Sequence, residues 1–234
     1  MNEDLYKLLY QDLSFEEAEA YFKKKLPITK EQYEKLASKY KQVAFTVSNY
    51  SSIQVVNQFY EEVIRAIETG STLESFKGQM NTFLERNGYS VTNAFQMEVI
   101  FRTNLQTAYN VGHYEQMNDE DVKRLRPYWQ YDAVNDKDTR PTHQAMDGLV
   151  YRADDPFWDT WYPPNGYRCR CTVRSLSKRQ VEERGLKVMD KMSEEIVPDE
   201  GFATNPAKAQ FEPDISKYPK SLQTAYKNLT AKQK

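Results

Sequence analysis

The strongest constraint on this chain is the stretch 128–173, which reads YWQYDAVNDKDTRPTHQAMDGLVYRADDPFWDTWYPPNGYRCRCTV. It holds all three tryptophans (Trp129, Trp158, Trp161), both cysteines (Cys169, Cys171), one of the two histidines (His143) and the run Pro163-Pro164-Asn165-Gly166. Within it, Tyr167 to Arg174 alternates strictly. Tyr167, Cys169, Cys171 and Val173 fall on one side, and Arg168, Arg170, Thr172 and Arg174 on the other. Period two is the signature of a strand. Pro-Pro-Asn-Gly before it is a turn, because proline pre-sets φ and Asn-Gly tolerates positive φ. Such a strand aims both thiols the same way, roughly 6.6 Å apart at about 3.3 Å per residue. A disulfide wants Cβ atoms about 3.8 Å apart, so a Cys169–Cys171 bridge needs a broken strand.

Two readings of the thiols stay open. In one they are small buried apolar side chains, as free cysteine often is. In the other they join His143 in a closed metal site, a structural zinc, with a fourth ligand such as Asp147. Structural zinc takes Cys/His sets, although its usual C-x2-4-C spacing is wider than the C-x-C here. A Cys169–His143 nucleophile pair is a third arrangement. It needs a positive charge or helix dipole to lower the thiol pKa, whereas apolar strand neighbours raise it.

Composition narrows the rest. The 234 residues suffice for one large or two small domains. A net charge of −2, from 32 Lys+Arg against 34 Asp+Glu, gives no global basic excess that would point to nucleic acid. A mean hydropathy of −0.82 favours elongated helices and exposed surface over one large core. No apolar run approaches the ~18 residues of a membrane span, so no membrane partner is expected. The N-terminus lacks a basic-then-apolar signal pattern. C-x-C alone is no secreted disulfide framework, and a cytoplasmic protein is expected.

Up to residue 125 the chain reads as helix. Ser14 with Glu17 and Thr29 with Gln32 are capping boxes. The first opens a helix that Leu26-Pro27 ends; the second opens one whose apolar face is Tyr33, Leu36, Ala37, Tyr40, Val43, Ala44 and Val47. Val56, Phe59, Tyr60, Val63, Ile64 and Ile67 resume the stripe to Gly70, a left-handed cap. Ser71 with Glu74 opens the next helix and Asn87-Gly88 closes it. Thr92 caps a long helix to Met117, roughly 39 Å at 1.5 Å per residue. Its stripe is Ala94, Met97, Phe101, Leu105, Ala108 and Gly112, with Arg102, Thr103, Asn104 and Asn110 beside it. Those polar residues read as helix surface, or as a buried Arg102 tying the helical part to the C-terminal part.

From Tyr128 the pattern changes to strands at 128–131 and 149–151, a short helix from Arg140 to Asp147-Gly148, the cysteine strand, and a helix capped by Ser177 with Gln180 and ended by Gly185. The expected fold class is α+β: a mostly helical N-terminal region over 1–125, with its long helix leading into a small antiparallel-sheet module over 126–187. An extended, partly mobile tail over 188–234 follows, in which 201–206 lies over the module. Leu222, Ala225, Tyr226 and Leu229 allow a terminal helix there.

Few residues offer chemistry. Asp136, Asp138 and Asp147 with His143 form the densest acidic group, but a lone acidic loop is usually a solvated turn. No glycine loop for phosphate exists. Arg168, Arg170 and Arg174 read either as a solvated face paired with nearby aspartates or as a contact for phosphates or an acidic partner.

Several pieces in order resemble a known family: Asp138-Thr139-Arg140-Pro141-Thr142-His143, Met146-Asp147-Gly148, Asp155-Pro156-Phe157-Trp158, and Pro163 to Val173. Together with Phe101-Arg102-Thr103-Asn104 before them and Gly201-Phe202 with Asn205-Pro206 after them, they look like the phage head morphogenesis domain, the Mu protein F-like group of minor head proteins, over about residues 90–207. Its motif residues here are Arg102, Asp138, Arg140, His143, Asp147, Gly148, Pro164, Asn165, Gly166, Arg168 and Arg170. The resemblance implies a minor capsid component of the virion, joining the head in few copies in the host cytoplasm and helping late assembly, genome packaging or delivery. Portal protein, other capsid or scaffold proteins and genomic DNA are the implied partners. It implies no settled enzymatic activity, and no cofactor is expected beyond the structural zinc considered above. The enzymatic alternatives are a metal-dependent nuclease built on the acidic loop, and an ADP-ribosyltransferase-like effector; only the second is expected to need more room than the chain leaves. A zinc-stabilised binding module is the remaining alternative.

Overall fold

The computed structural model describes residues 15–36, 38–91, 93–191 and 196–208, with 216, 220, 223, 224 and 227 beyond them. Helix α1 (Glu16–Lys23) carries Glu16, Glu17 and Glu19 in its first turn, where the helix dipole favours negative charge, and buries Ala18, Tyr21 and Phe22. Its expected cap, Ser14, lies outside the described residues. Strand β1 (Leu26–Pro27) comes next, then α2 (Lys30–Glu34), opened by the Thr29–Gln32 capping box with both halves formed.

The expected helix through Val47 does not form. The chain makes only α2 and α3 (Ser38–Lys41), and then β2 (Ala44–Phe45) pairs parallel to β1. Leu26 N–H donates to Val43 O and Ile28 N–H to Phe45 O, 2.9 Å each. Val43, Ala44 and Phe45 are all buried, so an apolar run that is helical by period is claimed by a strand. Ala37 is outside the described residues.

Helices α4 (Ile53–Thr69) and α5 (Leu73–Arg86) match the expected stripes, with Gly70 at φ 66 ending α4. Thr72, one residue past the expected Ser71, caps α5 by accepting the Ser75 N–H. The long helix is α6 (Ala94–Asn118), capped by Asn93, which accepts the Gln96 N–H at 2.8 Å. Thr92 is outside the described residues. Helix α6 serves two cores. Met97, Phe101, Ala108 and Val111 pack with Phe59, Phe76, Met80 and Leu84. One end reaches a second, aromatic core through Met117. Helix α1 crosses α6 at Gly112, where a Cβ would lie 2.9 Å from the Ala18 backbone nitrogen and 2.9 Å from Phe15 Cε2. Only a residue without a side chain admits that approach.

After α7 (Glu120–Leu125), β3 (Tyr128–Asp132) forms the middle of an antiparallel sheet ordered β4-β3-β5, with β4 at Val150–Arg152 and β5 at Thr172–Leu176. Trp129 and Tyr131 point inward from β3 by strand alternation. They meet Trp158, Trp161 and Tyr162 from α9 (Phe157–Trp161) and the residue after it. Trp129 and Trp158 pack edge to face at 5.6 Å, a favoured geometry for aromatic quadrupoles. Helix α8 (Pro141–Met146) links β3 to β4, and α10 (Lys178–Glu183) comes after β5, opened by the expected Ser177–Gln180 box. The architecture is α+β, with a small antiparallel sheet beside the helices.

Residues 196–208 return across this layer. Phe202 packs on Tyr167 at 4.9 Å, Asn205 Nδ2 donates to Trp158 O at 3.0 Å, and a short 3₁₀ turn, Pro206–Lys208, pairs Lys208 with Asp159. Leu222, Ala225, Tyr226 and Leu229 lie outside the described residues. Among the described residues no helix is long and apolar enough to cross a membrane.

Candidate functional site

The expected strand over Tyr167 to Arg174 forms only from Thr172. Arg168 sits at φ 58, outside strand geometry. Its N–H donates to Thr103 Oγ1 on α6 at 3.1 Å, and the Cys169 N–H turns back to Gly166 O at 3.2 Å. Strand β3 ends at Asp132, opposite Thr172, so the residues before Thr172 have no strand to pair with. Helix α6 supplies the missing donors: Gln106 Nε2 and Asn110 Nδ2 both reach Cys171 O at 3.1 Å.

The turn brings both thiols to one imidazole. His143 Nδ1 lies 3.7 Å from Cys169 Sγ and 3.5 Å from Cys171 Sγ. All three residues are buried, and their ligand atoms lie within 4.8 Å of one another. Both cysteines are free thiols. Helix α8 presents His143 from its first turns, started by Pro141, whose ring suits the first helical position. The ring stands edge-on to Trp161 at 6.3 Å, and Nε2 has no polar partner among the described residues. The polar interaction of this buried histidine therefore runs through Nδ1. The two thiols titrate together. The hydrogen bond from the Cys171 thiol, with help from His143 and from the backbone N–H groups of Asn165 and Cys171, holds Cys169 well below an ordinary thiol. The same shared proton, with burial, pushes Cys171 far up. The expectation that apolar neighbours raise the Cys169 thiol thus fails.

Asp147, the expected fourth ligand, is elsewhere. It ends α8 with its side chain turned to the loop after β3, accepting the Ala133 N–H at 2.8 Å and Asn135 Nδ2 at 2.6 Å. Gly148, at φ 77, turns the chain back so that its N–H donates to Tyr131 O.

The Pro-Pro-Asn-Gly run is a buried clamp beside the cluster. Pro164 is buried, and Asn165 is wholly so. Asn165 Oδ1 accepts the Tyr131 hydroxyl at 2.9 Å, and its backbone carbonyl accepts the Asp199 N–H at 3.0 Å. Arg140 pairs with Asp199 at 3.0 Å and donates to Tyr167 O at 2.8 Å. Gly166 lies under that pair. A Cβ there would overlap the Asp199 carboxylate and stand 3.2 Å from the Arg140 guanidinium carbon.

The arginines are all paired with acids, as a solvated face would have them. Arg170 grips Asp136 with two bonds of 2.6 Å, Arg174 meets Asp132 at 2.7 Å, and Arg168 meets Glu98 at 3.1 Å. The Arg170 fork holds the Asp136 carboxyl far below the usual carboxylate range. Asp138 is exposed and donates its N–H to Asp136 Oδ1 at 3.0 Å. A narrow cleft bounded by Val134, Thr139, Arg140 and Arg170 opens onto His143, Cys169 and Cys171, with room for about one water-sized group.

Arg102 is not the buried tie. It is exposed and bonds Glu98 within α6 at 2.8 Å, because its position faces away from the sheet. The tie runs through Thr103, Gln106, Asn110 and His113 instead. His113 Nε2 meets Val173 O at 2.9 Å, which requires the proton on Nε2. Tyr162 donates its hydroxyl to Asn110 O at 2.8 Å, and Thr172 Oγ1 donates to Asn110 Oδ1 at 3.1 Å. Sequence reasoning missed Gln106 and His113. Their signal is the spacing of three, four and three from Thr103, one polar face of a helix.

A family model described as Phage Mu protein F like protein matches residues 57–174, from α4 into β5. Over 189 residues the chain is 40% identical to the Putative capsid assembly protein F of Escherichia phage Mu, covering 74% of this chain and 42% of that protein. Over 174 residues it is 36% identical to the Mu-like prophage FluMu F protein of Haemophilus influenzae, covering 69% of this chain and 41% of that protein. The chain therefore spans about two fifths of the length of these curated relatives. No solved structure matches.

Proposed function

Because the chain belongs to the Phage Mu protein F like family, we propose that it is a structural part used in building a phage head. The observation that carries this reading is its identity to a relative whose name describes capsid assembly. The finer role is that of a minor head protein held near the portal, present in few copies, acting in late assembly or in genome packaging and delivery. Its partners would be the portal protein and other capsid or scaffold proteins, with genomic DNA within reach. It would reside in the virion, and in the host cytoplasm during assembly.

The geometry supports a part that is held in place rather than one that turns over substrate. Three acids of the module are engaged: Asp136 by Arg170, Asp132 by Arg174, and Asp147 by Ala133 and Asn135. An acid/base pair needs a free group within reach of a substrate proton. The test is composition. Procapsids and mature particles are purified and the chain is quantified beside the portal protein. A few copies per particle are expected; its absence from both refutes the role. Turnover of DNA or NAD by the purified chain with divalent metal would refute the non-enzymatic reading separately.

A further inference from the structure

We propose that His143 Nδ1 and the sulfurs of Cys169 and Cys171 bind one thiophilic divalent cation, of the class of zinc, with its fourth position turned to the narrow cleft. Bond lengths of about 2.3 Å to sulfur and about 2.05 Å to nitrogen place the two ligand atoms about 3.6 Å apart along a tetrahedral edge. The observed separations, 3.7 and 3.5 Å, bracket that edge.

Packing alone leaves this arrangement unexplained. One imidazole nitrogen offers a single proton or a single lone pair, directed in the ring plane. It cannot satisfy two sulfurs at once, yet two sulfurs face it. Buried polar groups are normally paired, and this histidine has no other polar partner among the described residues. A cation set between the three groups satisfies all of them through one centre. Two thiolates also balance a divalent charge, so no net charge is buried. Uptake releases the protons that the thiols carry as the metal–sulfur bonds form.

The surroundings suit a bound thiolate. Gln106 and Asn110 hold the Cys171 carbonyl, which fixes that residue's backbone. The cleft admits about one water-sized group, enough for solvent as fourth ligand. Two sulfurs and an imidazole select zinc over magnesium or calcium, which prefer oxygen. The short C-x-C spacing is no obstacle, because the two residues lie in a turn and not in a strand.

Metal binding at these residues does not depend on the assembly role, and it is read on the isolated chain. The full chain is purified without a histidine tag and its metal content measured, expecting about one zinc per chain. Cobalt added to the reduced, chelator-stripped chain should give thiolate-to-metal absorption and tetrahedral visible bands. Cys169→Ser, Cys171→Ser and His143→Ala should each lower retained metal more than about tenfold. Asp147→Asn should retain it. Should the site variants fail to fold, the cobalt spectrum of the unaltered chain decides. A folded, reduced chain that holds no zinc and gives no thiolate-to-cobalt band overturns the proposal. Metal that survives loss of both cysteines overturns it as well.

Discussion

The grip of α6 on the sheet layer rests on Asn110, and replacing it tests whether the polar seam holds the two cores together. Its side chain is 2% exposed. The amide nitrogen donates to Cys171 O and the amide oxygen accepts from Thr172 Oγ1, 3.1 Å each. A net hydrogen bond is worth about 1 kcal/mol. Asn110→Ala removes both and strands the Thr172 hydroxyl, while Gln106 still serves Cys171 O, so a loss of about 2–3 kcal/mol is expected. Asn110→Asp keeps the size but sets a carboxylate against that carbonyl. A buried charge without a partner costs about 3–5 kcal/mol, so the near-isosteric change should be the worse one at neutral pH.

The aspartate defect depends on pH. The carboxyl introduced at position 110 would have a folded pKa raised above its unfolded value. Its defect is fully present above the folded pKa and shrinks as acid protonates the group, which can then donate to Cys171 O. Urea unfolding at pH 7 and pH 5 reads both effects, with the variant compared to the unaltered chain at each pH. Tryptophan fluorescence tracks the aromatic core, since all three tryptophans lie there, and far-UV circular dichroism tracks the helices. The midpoint should fall in both signals, more for the aspartate than for the alanine. If Asn110→Asp is as mild as Asn110→Ala at pH 7, the donor geometry at Cys171 O is wrong.

Gly112→Ala sets about 1 kcal/mol of gained helix propensity against overpacking of about 1–3 kcal/mol at the α1–α6 crossing. A lower Tm is expected, and a higher one would mean that α1 does not approach as closely as 2.9 Å. Lys25 is buried, donates to Gln42 O at 2.7 Å, and burial pushes its pKa down to about 8. Between that value and the unfolded one, near 10.5, the unfolded chain holds a proton that the folded chain has lost, so stability should rise with pH across this window. Lys25→Met should raise stability at pH 7 by about 1–2 kcal/mol, after loss of the Gln42 bond, and flatten that rise. An unaltered chain whose urea midpoint is flat from pH 8 to 10.5 would refute the burial argument.

Local signals were legible where the partner was also local. The Thr29 and Ser177 capping boxes each close within three residues, and both form. Gly70 and Gly185 take positive φ at helix ends for the same reason. The helix expected through Val47 failed because its competitor, β1, lies some twenty residues away, and a two-residue parallel pairing leaves no periodic trace. Arg102 drew attention as the charged residue beside the stripe of α6. The neutral amides of Gln106 and Asn110 hold the sheet instead. Their acceptor is a backbone carbonyl more than sixty positions on, and backbone acceptors carry no sequence signature.

The cysteines show how a side-chain pattern can be right about facing and wrong about backbone. Alternation put both thiols on one side, and they do converge, but through a turn made possible by Arg168 at positive φ. An ideal strand would have kept the sulfurs roughly 6.6 Å apart, too far for one cation to bond both at about 2.3 Å each, whereas here the ligand atoms lie within 4.8 Å of one another. What shortens the distance is the loss of strand pairing beyond Asp132, and what offsets that loss is α6, whose amides take the carbonyl the sheet leaves unpaired. Cys171 thus belongs to both features, its sulfur in the cluster and its carbonyl in the seam. A ligand that binds only the folded chain at the sulfurs stabilises the chain as a whole. The same linkage makes Asn110→Asp a perturbation of the cluster as well as of the seam, because it moves the residue they share.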